Sequence, residues 1–441
     1  MTAKKTVERL NSPVRSVRIA SAAKVGALID GGRIRTRRCE EVNNHVHTRY
    51  SFSPYFPAFA AHAAWKAGLR VVGIMDHDSL AGAAEMMEAC KAFRIACTVG
   101  CEIRVNLANT AVEGRKTNNP DSNNVAYMSL HAIPRGRLRE VGRFLGPVKE
   151  ARNRRNRRMV ESLNRILKGI GLGTLDYRKD VRALSQAREG GSVTERHILL
   201  ALASRIISKA GRGPRLVRFI EDRFGIEPPA RIRDYLLDGG NRHYVYDLVG
   251  VFKSSLLGRF LVEPDHDECM PVRRAVRFAN SVNSLPVYPY LGDVTDSPTG
   301  DKKAEAFEDA YLDELVPELK RIGFRGIAYM PPRNTIGQLR RVRRLCARHD
   351  LMEVSGVDIN SSRQSFNCPI ILDPEFSRII DTTWALVAHE GLAGSDERYA
   401  LFSPRNPLRG RSLNERIDRY AGIGRRMDPR HPEKAIELVD F

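Results

Sequence analysis

No apolar run in the 441-residue sequence approaches the roughly 20 residues that a membrane-spanning helix requires, so no membrane span is expected. Cysteine is sparse and unpatterned. The seven (Cys39, Cys90, Cys97, Cys101, Cys269, Cys346 and Cys368) are odd in number and include no Cys-x-x-Cys pair. That argues against a zinc ribbon or a disulfide framework and fits free thiols in a reducing cytoplasm. The N-terminus (MTAKKTVERLNSPVRSVRIA) is basic and lacks the uninterrupted apolar core of a secretory leader. There is no internal repeat, no low-complexity tract, and no recognisable polymerase, helix-hairpin-helix or OB module. Acidic residues are also in deficit: 52 Asp and Glu stand against 72 Lys and Arg, a formal charge of +20. Such an excess gathers anions, whether phosphorylated metabolites or nucleic acid, without choosing between them. Much of it lies in ARNRRNRRMVESLNRILK at 151–168 and RRVRRLCARH at 340–349.

What is present is enough apolar sequence, 42% of residues, to bury a large core. The length suits two or three domains, or one barrel with an insertion. β-rich segments are expected at 41–46, 70–76, 96–105, 125–133, 285–292, 324–330 and 351–358. Helical spacing of apolar residues marks 57–68, 79–93, 271–284 and 335–349. Near-continuous apolar strands alternating with helices predict a parallel sheet or barrel, and seven strands are too many for one Rossmann half. The rhythm breaks from 137 to 270, a mainly helical, basic stretch with Gly-rich joints, expected as a cap over the barrel mouth. The expected organisation is therefore an N-terminal extension (1–40), a barrel in two parts (41–136 and 271–394) around the cap, and a C-terminal extension (395–441) that wraps the surface or is partly mobile.

The polar residues fall at the expected strand ends. His45-Val46-His47 ends the first strand, Asp76-His77-Asp78 the second, and Glu102 lies in the third. His131 ends the fourth, Asp293 follows the fifth, and Asp358 with Asn360 ends the seventh. In a parallel barrel these ends surround one mouth. Histidines two apart on a strand share a face and can grip one ion. A lone carboxylate such as Glu102 in an apolar strand is costly unless paired or metal-bound. Imidazole with carboxylate is the donor mix suited to Zn, Mn or Fe.

The stretch from Asn43 to Val105 resembles the polymerase-and-histidinol-phosphatase (PHP) family. That family's pattern is H-x-H-T, an apolar strand ending T-D-H-D, a Gly-containing helix start and a strand ending G-x-E. Here these are His45, His47 and Thr48, then Asp76, His77 and Asp78, then Gly82, then Gly100 and Glu102. More loosely, SLHAIP resembles the strand carrying a further histidine, His131. SVTERHILLALASRI resembles the R-P-H-I-A helix of the phosphatase-like branch, with Arg196 and His197, and LMEVSGVDINS resembles the closing G-S-D-F-H motif. The resemblance implies a distorted (β/α)7, TIM-like barrel carrying two or three divalent metal ions (Zn, Mn or Fe). On that basis His45 and His47 hold one ion with Asp358 closing its shell, Glu102 bridges, and His77, His131 and His197 hold the others. Asp76 is placed to orient an imidazole, and Asp78 either ligates or supports a ligand.

This sequence departs from the family at three places. Asn360 stands where the family has histidine, PYLGD replaces an A-H-P turn so that Tyr290 or Asp293 must serve, and Ser51 and Ser53 occupy the place of an acidic residue. Paired dications lower the pKa of a shared water and draw charge from a phosphoryl oxygen. Asp293 and His197 are the candidates for the general acid. Arg155 and Arg158, on a predicted cap helix resembling the family's R-N-x-x-M, and Arg196 are the candidates for phosphate binding. The expected activity is hydrolysis of a phosphate ester of a small metabolite or nucleotide. Its competitors are a nuclease acting on nucleic-acid ends and a metal-binding protein whose catalysis was lost with Asn360 and Tyr290. His389, in a late helix, is expected to lie away from the chemistry.

Overall fold

Seven apolar segments lie side by side in the computed structural model, which describes residues 2–294, 305–329 and 331–440. The strands are β1 (Val42–Val46), β2 (Val71–His77), β3 (Ala96–Asn106), β4 (Val125–His131), β5 (Met270–Pro271), β6 (Leu285–Tyr290), β7 (Gly326–Tyr329) and β8 (Met352–Ser355). Their order is β1-β2-β3-β4-β6-β7-β8, with the two-residue β5 on the side of β3. The sheet curls until its edges meet. His47 N donates to Ile359 O and Ile359 N to His45 O, both at 3.1 Å, and the Asn43 amide donates to Val357 O at 3.0 Å across the same seam. This is the distorted TIM-like barrel expected.

One strand departs from expectation. β4 runs antiparallel to both β3 and β6, because the connection at 107–124 contains no helix and so returns the chain as a hairpin. Parallel neighbours need a crossover of a dozen or more residues, usually helical. The end of β4 therefore does not reach the mouth where the other strands end.

Among the described residues there are fourteen α-helices. In chain order they are α1 (Ala3–Glu8), α2 (Arg15–Asp30), α3 (Pro57–Lys66), α4 (Ala83–Phe93), α5 (Leu138–Gly169), α6 (Glu195–Ala210), α7 (Pro214–Phe224), α8 (Ala230–Leu237), α9 (Tyr244–Ser255), α10 (Val272–Ser281), α11 (Leu312–Ile322), α12 (Ile336–Arg348), α13 (Arg378–Ser395) and α14 (Leu413–Arg426). α5 to α9 build the helical unit, which has an apolar core of its own around Leu163, Leu202 and Phe252. The 32-residue α5 is the beam joining the two: Val141, Leu145 and Val148 belong to the barrel core, Met159, Val160 and Leu163 to the cap core.

The N-terminal segment docks α2 on α4, where a Cβ at Gly26 would sit 2.8 Å from Ala92 O. A fully buried pair, Arg18 with Glu85 at 2.7 Å, ties it down. The C-terminal segment is not a loose wrap. α14 buries Ile417, Tyr420, Ala421 and Ile423 against α13, so closely that a Cβ at Gly424 would stand 2.2 Å from Trp384 O. Its Pro- and Arg-rich approach conceals an amphipathic helix whose apolar face needs α13.

α13 closes the base of the barrel, where the Val99 N–H donates to Glu390 Oε2 at 2.8 Å. Burial pushes the Glu390 carboxyl up from 4.5 to about 8. An acid whose pKa is higher in the folded chain holds its proton more tightly there. Its stabilising share is therefore complete below about pH 4.5 and is lost as pH rises toward 8. Glu390→Gln keeps the acceptor for Val99 and removes the titration. It is expected to flatten the fall in Tm between pH 4.5 and 8; thermal melts with equal pH slopes in both proteins would overturn this.

Candidate metal centre

The barrel seam assembles the site. His45 and His47 alternate with Val46 at the end of β1 and project to the same side, their ring centres 5.0 Å apart; the His47 ring stacks on His77, from the end of β2, at 4.5 Å. Across the seam His47 Nε2 is 3.3 Å from Asp358 Oδ1. From β3, Glu102 reaches both neighbours: its Oε1 is 3.7 Å from His45 Nε2 and its Oε2 is 3.1 Å from His77 Nδ1. Two groups of donor atoms result, His45/His47/Asp358 and His47/His77/Glu102, each with its atoms within 4.8 Å of one another. The packing behind them is tight. A Cβ at Gly356 would lie 2.3 Å from the Cβ of His45, so only glycine lets the seam close over this histidine.

Asp76 supports the turn that presents His47. It accepts from the Thr48 N–H (2.7 Å), the Thr48 hydroxyl (2.6 Å) and the Ser51 hydroxyl (2.6 Å), and Ser51 Oγ stands 3.4 Å from His47 Nδ1. Ser51, noted in the sequence only for the missing acid, is thus the link between Asp76 and the imidazole. Asn360 donates its amide to Asp358 Oδ1 at 2.7 Å and holds that carboxylate rather than competing with it.

The electrostatics suit a cation. Burial lowers the pKa of His45 and pushes His77 well down, so both are neutral donors. Burial would also lower His47, but its hydrogen bond to Asp358 raises it instead. Burial would raise Asp358, yet His47 holds it well below the usual carboxylate range. Burial raises Glu102. The His77 Nδ1 makes no hydrogen bond despite lying beside Glu102. Neutral imidazoles facing buried carboxylates, with an unsatisfied ring nitrogen between them, fit one or more divalent ions.

Other residues singled out from the sequence are not in the two donor groups. His131 is two residues beyond Ser129, the register partner of Glu102, toward the end of the barrel away from the mouth. It is buried, with Nε2 unpartnered among the described residues, and burial lowers its pKa to about 3. His197 caps α6, accepting from the Thr194 N–H at 3.0 Å with its ring edge against Phe52. Asp293 accepts from the backbone of Phe307 (2.7 Å) and Asp309 (3.1 Å) and so shapes the loop after β6. Tyr290 lines the cavity and gives its hydroxyl proton to Asp309. Asp78 turns from the donor groups to Arg152, at 2.9 Å. Arg158 is half exposed on the outer side of α5, 3.5 Å from Asp265. Arg196 lines the cavity, with its guanidinium over Phe52.

Arg155 lines the cavity too, but a network absent from the sequence reading claims it. It pairs with Glu195 and, at 2.5 Å, with Glu268. Arg104 joins Glu195 at 2.6 Å and Glu268 at 2.9 Å, and Arg152 joins Glu268 at 3.2 Å as well as Asp78. Three guanidinium groups thus meet three carboxylates, all buried. Burial alone would raise Glu195 and Glu268, but the surrounding arginines hold both below the ordinary range. Arg104 gave the same cue as Glu102, a lone charge in an apolar strand, and stands two residues along on the same face.

Above the donors lies a cavity of about 110 Å³, floored by His45, His77, Glu102 and Asp358 and roofed from the cap by Arg155, Leu199, Lys253 and Leu257. Fold and site together define an α/β barrel with a candidate metal centre at its mouth beneath a helical cap. Residues 43–191 match the PHP domain family, a stretch holding four of the five donors and the start of the cap. No curated protein matches the sequence. Among solved structures, the chain is similar to a protein from Bifidobacterium adolescentis provisionally named a metal-dependent phosphoesterase. The likeness has 18% identity and a TM-score of 0.49, and covers 76% of this chain and 96% of that one. It is also similar to an amidohydrolase from Chromobacterium violaceum with bound sulfate and no metal, at 15% identity and a TM-score of 0.48, over 76% of this chain and 96% of that one.

Removing one carboxylate from the buried network leaves three arginines sharing two anions. Glu268→Gln is expected to destabilise the protein by about 3–5 kcal/mol, the usual penalty for breaking a buried ion pair. The exposed Arg340–Glu375 pair offers a control: Glu375→Gln should leave the denaturation midpoint essentially in place. Equal effects of the two substitutions in urea melts would refute this ranking.

Proposed function

We propose that the protein is a metal-dependent hydrolase of the phosphoesterase kind, acting on a phosphate ester of a small metabolite or nucleotide. The observation that carries this reading is the enclosure of both donor groups under the cap, in a cavity of about 110 Å³ that also presents cationic side chains. A pocket covered by cap helices suits a small ester better than a continuous nucleic-acid strand, and so favours the metabolite over the nuclease that the +20 charge invites. His45, His47 and Asp358 would hold one divalent ion and His77 with Glu102 another, Zn, Mn or Fe by the donor mix. Such ions supply a Lewis acid for a phosphoryl oxygen and acidify a coordinated water.

The chain's own groups do the positioning. Asp76, through Ser51, fixes the His47 ring so that Nε2 faces Asp358. The Asn360 amide steadies the same carboxylate oxygen from its other side. Leu199 and Leu257 roof the cavity and limit water, which strengthens every charge interaction beneath them. Tyr127, whose hydroxyl accepts from Arg104 at 3.0 Å, lines the cavity and keeps its own proton for a ligand atom.

Glu102→Gln is expected to lose at least one tightly held ion per chain. Its turnover of p-nitrophenyl phosphate with added Mn or Zn should fall more than the about 100-fold that loss of an outer partner can cause. Metal analysis and kinetics on the same preparation decide it, and unchanged metal with full turnover would remove Glu102 from the site. His389, which lies in α13 and bonds Asn283 O and the Leu401 N–H, serves as a comparison. His389→Gln should keep turnover per folded molecule. Degradation of labelled single-stranded DNA without monoester hydrolysis would replace this reading with the nuclease.

A further inference from the structure

The cavity holds several cations, and their surroundings separate them. Arg155 sits in the cavity wall but is paired with Glu195 and Glu268, and Arg104 is paired with the same two carboxylates. A guanidinium already neutralised by buried carboxylates offers little net charge to an incoming anion. Arg333 is different. It lines the same cavity from the turn after β7, and among the described residues it forms no ion pair. Its electrostatic influence falls on Asp358.

The backbone around it is stiff. Pro331 and Pro332 precede it and fix their own φ. Asn334 follows, and its amide donates to Leu291 O at 2.8 Å. Thr335 then caps α12, accepting from the Gln338 N–H at 3.2 Å. A cation is thus presented, partly buried, from an anchored turn beside the donor groups, at little ordering cost to a ligand.

We infer that Arg333 is the residue that receives and orients the anionic oxygens of the ligand, a phosphate monoester or its inorganic phosphate product, next to the metal donors. The inference deepens the phosphoesterase reading and rests on it for the identity of the anion. A guanidinium fork can meet two phosphate oxygens at once, whereas an ammonium offers a point charge.

Calorimetric titration of inorganic phosphate into the metal-loaded full-length protein tests this, alongside metal analysis and thermal melts. Arg333→Gln is expected to weaken phosphate binding by about tenfold or more, the loss of charge-assisted hydrogen bonds. Arg333→Lys should recover only part of that, and Arg158→Gln, on the outer face of α5, should bind like the wild type. Metal content and Tm should be unchanged in all three. If Arg333→Gln binds phosphate as tightly as the wild type, or the metal-loaded wild type binds none, the inference is overturned. The outcomes separate the two readings. Ester turnover in the wild type with Arg333-independent phosphate binding sinks this inference alone, whereas Arg333-dependent binding without any ester turnover sinks the phosphoesterase alone.

Discussion

The rest of the structure depends on six charged groups that have left water together. Arg104 and Asp78 come from the barrel, Arg152, Arg155 and Glu195 from the first two cap helices, and Glu268 from the segment leading back to the barrel. Each would be costly to bury alone, and each is tolerable only because the others arrive in the right place. An apolar contact can slide, but a six-membered ionic cluster has very few registers in which every member finds a partner. The cluster therefore seats the cap on the barrel in one orientation, and that orientation sets the height of the roof over the donor groups.

The same logic divides the histidines. Those at the mouth face carboxylates across short gaps, and burial keeps most of them neutral. Two others bond to backbone instead: His197 at a helix cap, His389 between Asn283 and Leu401. His131 belongs to neither class, since its Nε2 is buried without a partner among the described residues. Histidine count alone therefore says little about the number of ions; the neighbours of each ring decide it. Asn360 shows the converse. As a ligand it would be a poor substitute for histidine, but as a donor to Asp358 it does work that an imidazole nitrogen lacking its proton could not.

Much of this was legible in the sequence, because strands buried on both faces write themselves as continuous apolar runs. Every barrel strand expected from the sequence lies within three residues of its place, and the two-residue β5 is the one strand not expected. His45, His47, His77, Glu102 and Asp358 come together at the mouth, Asp358 three residues beyond the end of β8. What was not legible has common causes. The reversal of β4 leaves no mark within the strand itself; the mark is the missing helix between Val105 and Val125, which reads as a hairpin only once the alternation is taken strictly. Arg155 looked available for phosphate because its partners, Glu195 and Glu268, are 40 and 113 residues away. α14 hid behind a Pro- and Arg-rich approach because its stability comes from α13 rather than from its own composition.

The seam between β1 and the segment after β8 has one more consequence. Its hydrogen bonds join residues as much as 314 positions apart, and they bring Asp358 to His47. Barrel closure and completion of the donor set are thus a single event, deferred until almost all of the barrel has left the ribosome. A nascent chain that has emerged only through residue 191 carries four of the five donors but no seam to hold them. Such a chain lacks the carboxylate of the His45/His47/Asp358 group, so that group can form only once the seam has closed.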